Sequence, residues 1–131
     1  MLRTSKVELE VSKAVIGAAI EVHKTLGGPG LLESIYETAL CHELSLQGIQ
    51  VKRQVPIKVS YKGIDTQERL IVDLLVENKL IIEVKAVENN HPIFKSQLLT
   101  YLRLTGLKLG LILNFGNQQL KDGIERVVNN F

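Results

Sequence analysis

The amino-acid sequence predicts an α/β fold in which a mixed central sheet is flanked by helices. Two observations indicate this class: segments of helical periodicity and segments rich in Val and Ile both occur along the chain, and their order is α α β β β α β. The 131 residues fit one domain, residues 1–131. Hydrophobic residues make up 45% and charged residues 23%, a balance typical of folded rather than disordered proteins.

Two helices are predicted at the start of the chain. Over residues 7–26, apolar residues recur at helical spacing, and Ser5 with Glu8 matches a capping box. A second helix is predicted over residues 31–47, with Gly48 as its stop signal. Its predicted inward positions are Leu32, Tyr36, Ala39, Leu40 and Leu44. The glycine-rich turn Gly27-Gly28-Pro29-Gly30 separates the two helices.

Three Val- and Ile-rich segments, residues 49–61, 68–76 and 80–87, are predicted to form an antiparallel meander. The predicted turns between them are Lys62-Gly63 and Glu77-Asn78-Lys79. A third helix is predicted to begin at Pro92 and to run over residues 93–105, before Gly106. A buried strand should follow over residues 107–115, and the tail, residues 121–131, is predicted as a strand or a helical turn.

Charge and cysteine content exclude some classes of protein but do not assign a function. The formal net charge of +2 is too small to indicate a nucleic-acid or membrane partner by itself. The single cysteine, Cys41, excludes an intramolecular disulfide and a thiolate cluster around a metal. Charges interrupt every apolar stretch of the first 20 residues, so we expect neither a signal peptide nor a membrane span, and a cytoplasmic location.

Charged side chains interrupt two strands that otherwise resemble core. Asp73 lies in the middle of the second strand, and Glu83 and Lys85 lie two residues apart on the third, so these two side chains point to the same face. A three-residue loop at residues 77–79 would place Asp73 opposite Glu83. A slip of one residue would separate Asp73 from both charges, so the grouping depends on the register.

Two opposed carboxylates in a partly buried position repel each other, which favours a cation between them. Their oxygen atoms suit Mg²⁺ or Mn²⁺, and we interpret Asp73 and Glu83 as a metal site. The alternative is a structural ion pair in which Lys85 neutralises one of them and nothing binds. Because buried ion pairs are poor stabilisers, the functional interpretation is favoured.

The spacing of Asp73 and Glu83-Val84-Lys85 resembles the motif of the PD-(D/E)XK nuclease superfamily. The segment Gly30-Leu31-Leu32-Glu33-Ser34-Ile35-Tyr36 is similar to the signature of the GxxExxY protein family, a branch of that superfamily. This resemblance implies a restriction-endonuclease-like core and nuclease activity. Two departures are an additional glycine in residues 26–30 and Val72 in place of the superfamily's proline.

The resemblance implies a role for each residue of the predicted site. Asp73, Glu83 and the backbone carbonyl of Val84 would bind the metal. Lys85 would position or deprotonate the attacking water and stabilise the transition state. Glu33 would complete the metal ligands; without the resemblance it is better explained as a first-turn glutamate stabilised by the helix dipole.

Substrate-binding residues are also implied by the resemblance. Gln97 and Tyr101 are similar to the Gln-x-x-x-Tyr pattern of RecB-type nucleases and share one helix face, where they would contact a phosphate or orient the site lysine. Tyr36 is a further candidate, and Glu37 is interpreted as a surface partner of a neighbouring base. A surface for phosphates would draw on Lys52, Arg53, Lys58, Arg69, Lys95 and Arg103, although scattered basic residues are usually just solvated.

These observations predict a Mg²⁺- or Mn²⁺-dependent nuclease that acts on DNA, with RNA as a second candidate substrate. The main alternative is a catalytically silent module that retains the fold and binds nucleic acid or protein. Because 131 residues leave little room for a separate recognition module, we expect specificity to come from a homodimer, an accessory protein or the ends of the substrate.

Overall fold

The computed structural model describes residues 6–130, and Ser5 of the predicted capping box therefore lies outside the described residues. In this range no helix has the length and apolar character needed to cross a membrane. The elements are α1 Lys6–Thr25, α2 Glu33–Leu46, β1 Val51–Tyr61, β2 Ile64–Val76, β3 Leu80–Lys85, α3 Pro92–Thr105, β4 Leu109–Asn114, a 3₁₀ helix Leu120–Gly123 and β5 Ile124–Val128.

The described strands form a five-stranded sheet in the order β1-β2-β3-β4-β5. Strands β3 and β4 run parallel, and the other neighbours are antiparallel, so the predicted mixed sheet is confirmed. The parallel pair requires a crossover, which α3 provides between β3 and β4. The observed order matches the predicted α α β β β α β, with β5 added at the edge.

Two hydrophobic cores lie on opposite faces of the sheet. Helices α1 and α2 cover one face, and α3 covers the other. The first core includes Tyr36, which is fully buried and stacks on Phe115 with ring centroids 4.5 Å apart. The α3 core contains Ile57, Val72, Ile81, Leu98, Tyr101, Leu102, Ile112 and Val127.

Several element boundaries differ from the predicted ones. Leu32, predicted to face inward, is 71% exposed because α2 begins only at Glu33 and Leu32 is its N-cap. Strand β2 begins at Ile64 and not at residue 68. Residues 64–67 lie at the end of the hairpin, where they cover no core, so they lack the apolar alternation from which strands are predicted. In the tail, both predicted alternatives occur, because a 3₁₀ helix precedes β5.

The loops after β3 and β4 pack against each other through a buried amide. The Asn114 side-chain oxygen accepts hydrogen bonds from the backbone N–H groups of Val87 (3.1 Å) and Gly116 (3.0 Å), and its amide donates to Asn90 Oδ1 (2.8 Å). Strand β3 therefore ends at Lys85 and not at residue 87, because the Val87 N–H bonds to this side chain. A Cβ atom on Gly116 would collide with the Val87 backbone, so this contact requires glycine.

We predict that Gly116→Ala destabilises the protein by about 1–3 kcal/mol, since two backbone segments would have to move apart. The matched control is Gly17→Ala on α1, where a Cβ meets nothing within 4 Å and removing a helical glycine should stabilise by up to about 1 kcal/mol. Urea unfolding of the three proteins measures both effects. Equal midpoints for wild type and Gly116→Ala would contradict the close approach of the two loops.

Candidate active site

The hairpin between β2 and β3 has the predicted register. The pairs Val76–Leu80, Leu75–Ile81 and Leu74–Ile82 confirm the three-residue loop. Within this loop, Glu77 and Asn78 have φ angles of 53° and 55°, the left-handed conformation that a tight hairpin uses. This register places Asp73 and Glu83 next in line, at the point where regular ladder pairing between the two strands ends.

At this point side-chain hydrogen bonds take the place of the backbone hydrogen bonds between β2 and β3. The backbone N–H of Asp73 donates to Glu83 Oε2 at 2.9 Å, and the backbone N–H of Val84 donates to Asp73 Oδ2 at 2.8 Å. Each carboxylate therefore accepts a hydrogen bond from the backbone of the opposite strand. The arrangement holds two acidic side chains at the opening between the strands, and we call Asp73 and Glu83 the acidic pair.

Strand β2 reverses its alternation at Asp73. Val72 packs in the α3 core, whereas Leu74, two residues further, packs in the α1/α2 core. Opposite Asp73 on β1, Gln54 has a φ of 51°, which is unusual for a strand residue and interrupts its pleat. The strand pair consequently twists at this position, and Asp73 lies between the two faces of the sheet.

Glu37 on α2 is paired with the twisted part of β1. Its side chain is 7% exposed, and it accepts hydrogen bonds from Arg53 Nε at 3.1 Å and from Gln54 Nε2 at 3.1 and 3.2 Å. The predicted pairing with a base is confirmed, but the predicted surface position is wrong. The reason is the positive φ at Gln54, which directs two successive β1 side chains towards α2 and covers the carboxylate.

Burial and neighbouring negative charges make the acidic pair hard to ionise. Glu83 is 4% exposed, and its burial, followed by the charge of Asp73, raises its pKa to about 8. Burial also raises the pKa of Asp73, the Val84 N–H acts in the opposite direction, and the charge of Glu37 raises it further. The charge of Glu33 raises the pKa of both groups and that of Lys85 lowers both, so Glu33 and Lys85 act electrostatically on the pair.

Helix α3 holds the predicted catalytic lysine. Lys85 Nζ donates to Gln97 Oε1 at 3.4 Å and lies 4.8 Å from the ring centroid of Phe94, a cation–π contact. Gln97 also hydrogen-bonds Tyr101, which lies one helical turn further along α3. The pKa of Tyr101 is raised by burial and then by the negative charges of Glu83 and Asp73. The predicted shared face of Gln97 and Tyr101 therefore lies beside the acidic pair.

Phe94 was not among the predicted site residues. The available signal was its spacing: it lies three residues before Gln97 on α3, so both side chains lie on one helix face. An aromatic residue at helical spacing is ordinarily a core residue, and the partner lysine could not be identified without the packing of α3 on β3. The structure therefore adds Phe94 to the surroundings of Lys85.

Tyr36 is placed in the core and away from any surface that a substrate could contact. It is 0% exposed, and its hydroxyl donates to the Gly28 carbonyl oxygen at 2.7 Å and accepts from the Leu31 N–H at 3.2 Å. The predicted substrate-binding role is therefore corrected to a structural one, because Tyr36 shares the inward side of α2 with Leu40 and Leu44. Its hydroxyl holds the glycine-rich turn immediately before Glu33.

The chemistry of the acidic pair fits a hard divalent cation. Two carboxylates meet at one opening, and an added positive charge would relieve the repulsion that raises the pKa of Glu83. Among residues 6–130, no group of three or more His, Cys, Asp and Glu side chains is arranged to hold a metal ion. The side-chain ligands for a divalent cation would therefore have to come from Asp73 and Glu83.

We predict that the metal-free protein loses stability as the pH rises from about 5 to about 8. In the folded protein the pKa of Glu83 is about 8, so its carboxyl group stays protonated over most of this range. In the unfolded chain the same group ionises near 4.5, and the unfolded state therefore binds fewer protons. The loss should reach roughly 3–5 kcal/mol.

Glu83→Gln should remove most of this pH dependence, and Glu10→Gln, at an exposed position of α1, should leave it unchanged. Urea unfolding in EDTA at several pH values measures the slope. A slope of equal size in wild type and Glu83→Gln would show that Glu83 is not the group responsible.

Similarity to known proteins was found at the levels of sequence family and fold. No curated protein matches the chain. The crystal structure of SSO0001 superimposes with a TM-score of 0.55 at 16% sequence identity, a likeness of fold alone. The match covers 75% of this chain and 50% of that one, so the chain spans about half the length of SSO0001. The sequence model of the PD-(D/E)XK nuclease superfamily matches residues 9–127, and the chain therefore belongs to this superfamily.

Proposed function

We propose that the protein is a Mg²⁺- or Mn²⁺-dependent nuclease of the GxxExxY branch, and that it hydrolyses phosphodiester bonds of DNA, with RNA as a second candidate substrate. The observation that carries the proposal is the acidic pair at the opening between β2 and β3, with Lys85 two residues beyond Glu83. Membership of the superfamily supports the same chemistry.

Asp73 and Glu83 would hold the cation, joined by the backbone carbonyl of Val84. Glu33, in the first turn of α2, acts electrostatically on both acids but is not grouped with them, so its side chain would have to turn towards the cation to be a further ligand. When bound, a divalent cation lowers the pKa of a coordinated water and neutralises negative charge on the phosphate. The exposed position of Glu33 makes it the member of this set most accessible from solvent.

Lys85 would position or deprotonate the attacking water and stabilise negative charge that develops on the phosphate oxygens. Its ammonium is held from α3 by Gln97 and by the ring of Phe94, which limits the positions that this long side chain can adopt. Gln97 and Tyr101 would orient the lysine, and Gln97 would in addition contact a phosphate when substrate is bound. Helices α2 and α3 would thus supply groups from the two sides of the acidic pair.

We predict that Asp73→Asn abolishes both the thermal stabilisation by Mn²⁺ and DNA cleavage, because one of the two principal ligands is lost. Lys85→Met should keep the Mn²⁺ stabilisation and lower kcat by at least about 10²-fold, since its charge acts on the transition state. Lys13→Met, at an exposed position of α1, is the control for removing a lysine. Melting temperatures with and without Mn²⁺ measure metal binding.

Cleavage assays on single-stranded, duplex and branched DNA and on RNA then measure turnover and substrate class. Equal Mn²⁺ stabilisation of wild type and Asp73→Asn would contradict the metal site. Stabilisation by Mn²⁺ without cleavage of any of these substrates would contradict the nuclease and favour the catalytically silent binding module. A homodimer or an accessory protein as the source of specificity remains a prediction, which sedimentation of the active protein tests.

A further inference from the structure

The hairpin of β1 and β2 extends beyond the rest of the sheet. Pairing of β2 with β3 involves only Leu74 to Val76 on β2, whereas pairing of β2 with β1 continues to the last pair, Tyr61 with Ile64. We call residues 56–71 the arm. About nine residues separate Ile64 from Asp73, so at about 3.3 Å per residue the tip of the arm lies up to about 30 Å from the acidic pair.

One face of the arm packs on the protein and the other is exposed. Ile57 and Leu70 contact the α3 core. On the opposite face, Ile71 is 43% exposed, and the side chains of Lys58 and Arg69 are 62% and 37% exposed. Lys58 and Arg69 are directly paired across the two strands, and both contact the Asp65 carboxylate, Lys58 Nζ at 3.8 Å and Arg69 at 2.9 Å, which balances part of their charge.

The arm is stiffened by its own hydrogen bonds. Asp65 accepts from both terminal nitrogens of Arg69, at 2.9 and 3.1 Å, and from the backbone N–H of Gln67 at 2.8 Å. Lys62 and Gly63 at the turn have φ angles of 47° and 86°, the positive values of a tight two-residue hairpin turn. These contacts fix the end of the arm beyond the part that Ile57 and Leu70 hold on the α3 core.

The tip of the arm combines an exposed aromatic ring with a cation. Tyr61 and Ile64, which pair with each other, are 60% and 61% exposed. Lys62 Nζ lies 5.4 Å from the Tyr61 ring centroid. A solvent-exposed ring beside an ammonium can stack on a nucleobase while the ammonium contacts the neighbouring phosphate.

The cation at the tip of the arm has no acidic partner within residues 6–130. The arm contains three Lys and Arg against two Asp and Glu, a net charge of +1. Among the ion pairs of the described residues, none involves Lys62. This favours a polyanion over a second copy of the chain as the partner of the tip, since contact between two tips would bring two Lys62 ammonium groups together.

We propose that the arm binds the nucleic-acid substrate at a distance from the cleavage site. Lys58 and Lys62 contact phosphates, Arg69 stays bound to Asp65, and Tyr61 stacks on a base of an unpaired segment. The inference rests on the proposed nuclease function and adds a substrate class: nucleic acid with a single-stranded segment on one side of the cleaved bond. At about 3.4 Å per nucleotide of a stacked strand, the tip reaches up to about nine nucleotides from that bond.

The test is binding of fluorescent single-stranded and duplex DNA by anisotropy in EDTA, which prevents cleavage, with sedimentation of the same proteins without DNA. For an oligonucleotide of about 20 nucleotides, Tyr61→Ala should weaken binding about 10-fold, and Tyr61→Phe should bind like wild type because stacking needs only the ring. An oligonucleotide of about five nucleotides can lie on the arm alone, so it should bind more weakly than the long one and show the same dependence on Tyr61. Melting temperatures confirm that the variants are folded.

Each result distinguishes the arm from the active site. Equal binding of the long oligonucleotide by wild type and Tyr61→Ala would overturn the role of the arm and leave the nuclease intact. No binding of either oligonucleotide by wild type would overturn the role of the arm, whereas the nuclease is tested separately by cleavage in Mn²⁺. An effect of Tyr61→Ala confined to fully paired duplex would overturn the stacking on unpaired bases. A dimer in sedimentation that Tyr61→Ala dissociates would assign the tip to a second copy of the chain and also overturn the proposal.

Discussion

The structure of the site depends on one exchange of hydrogen bonds, in which the carboxylates of Asp73 and Glu83 bond to backbone N–H groups across the opening between β2 and β3. Two acids at such a position are costly to bury, as the raised pKa of Glu83 shows. The exchange satisfies backbone donors where regular pairing ends, so the strands can separate without leaving those N–H groups unbonded. The opening is therefore a structural transition, and it is the place where we propose that a cation binds.

Elements on both faces of the sheet adapt to this opening. On the α2 side, buried Glu37 holds the two β1 side chains that the twist at Gln54 brings together. On the α3 side, Gln97 and Phe94 hold Lys85. Beyond the twist, β1 and β2 continue as an arm whose inner face packs on α3 and whose outer face carries Lys58, Arg69 and their partner Asp65. The same irregularity thus separates Asp73 from the part of the hairpin proposed to bind substrate.

The sequence was sufficient to predict the elements that follow strong local rules. The three-residue loop and the even register placed Asp73 opposite Glu83, because period-two alternation and loop length restrict a hairpin tightly. It was not sufficient for features set by tertiary contacts. Nothing local distinguishes Gln54 as a positive-φ residue, so the burial of Glu37 could not be foreseen. Tyr36 was predicted both to face inward and to bind substrate. Its stacking on Phe115 shows that it is a core residue. The start of β2 at Ile64 depends on pairing alone.

The most direct test of the account is a crystal structure of the protein soaked in Mn²⁺, with the metal located by its anomalous scattering. The account predicts a peak between the side chains of Asp73 and Glu83, with carboxylate oxygens of both residues about 2.0–2.3 Å from it. A well-occupied Mn²⁺ elsewhere in the molecule, with the acidic pair still joined only by its backbone hydrogen bonds, would contradict the central claim that these two residues form a metal site.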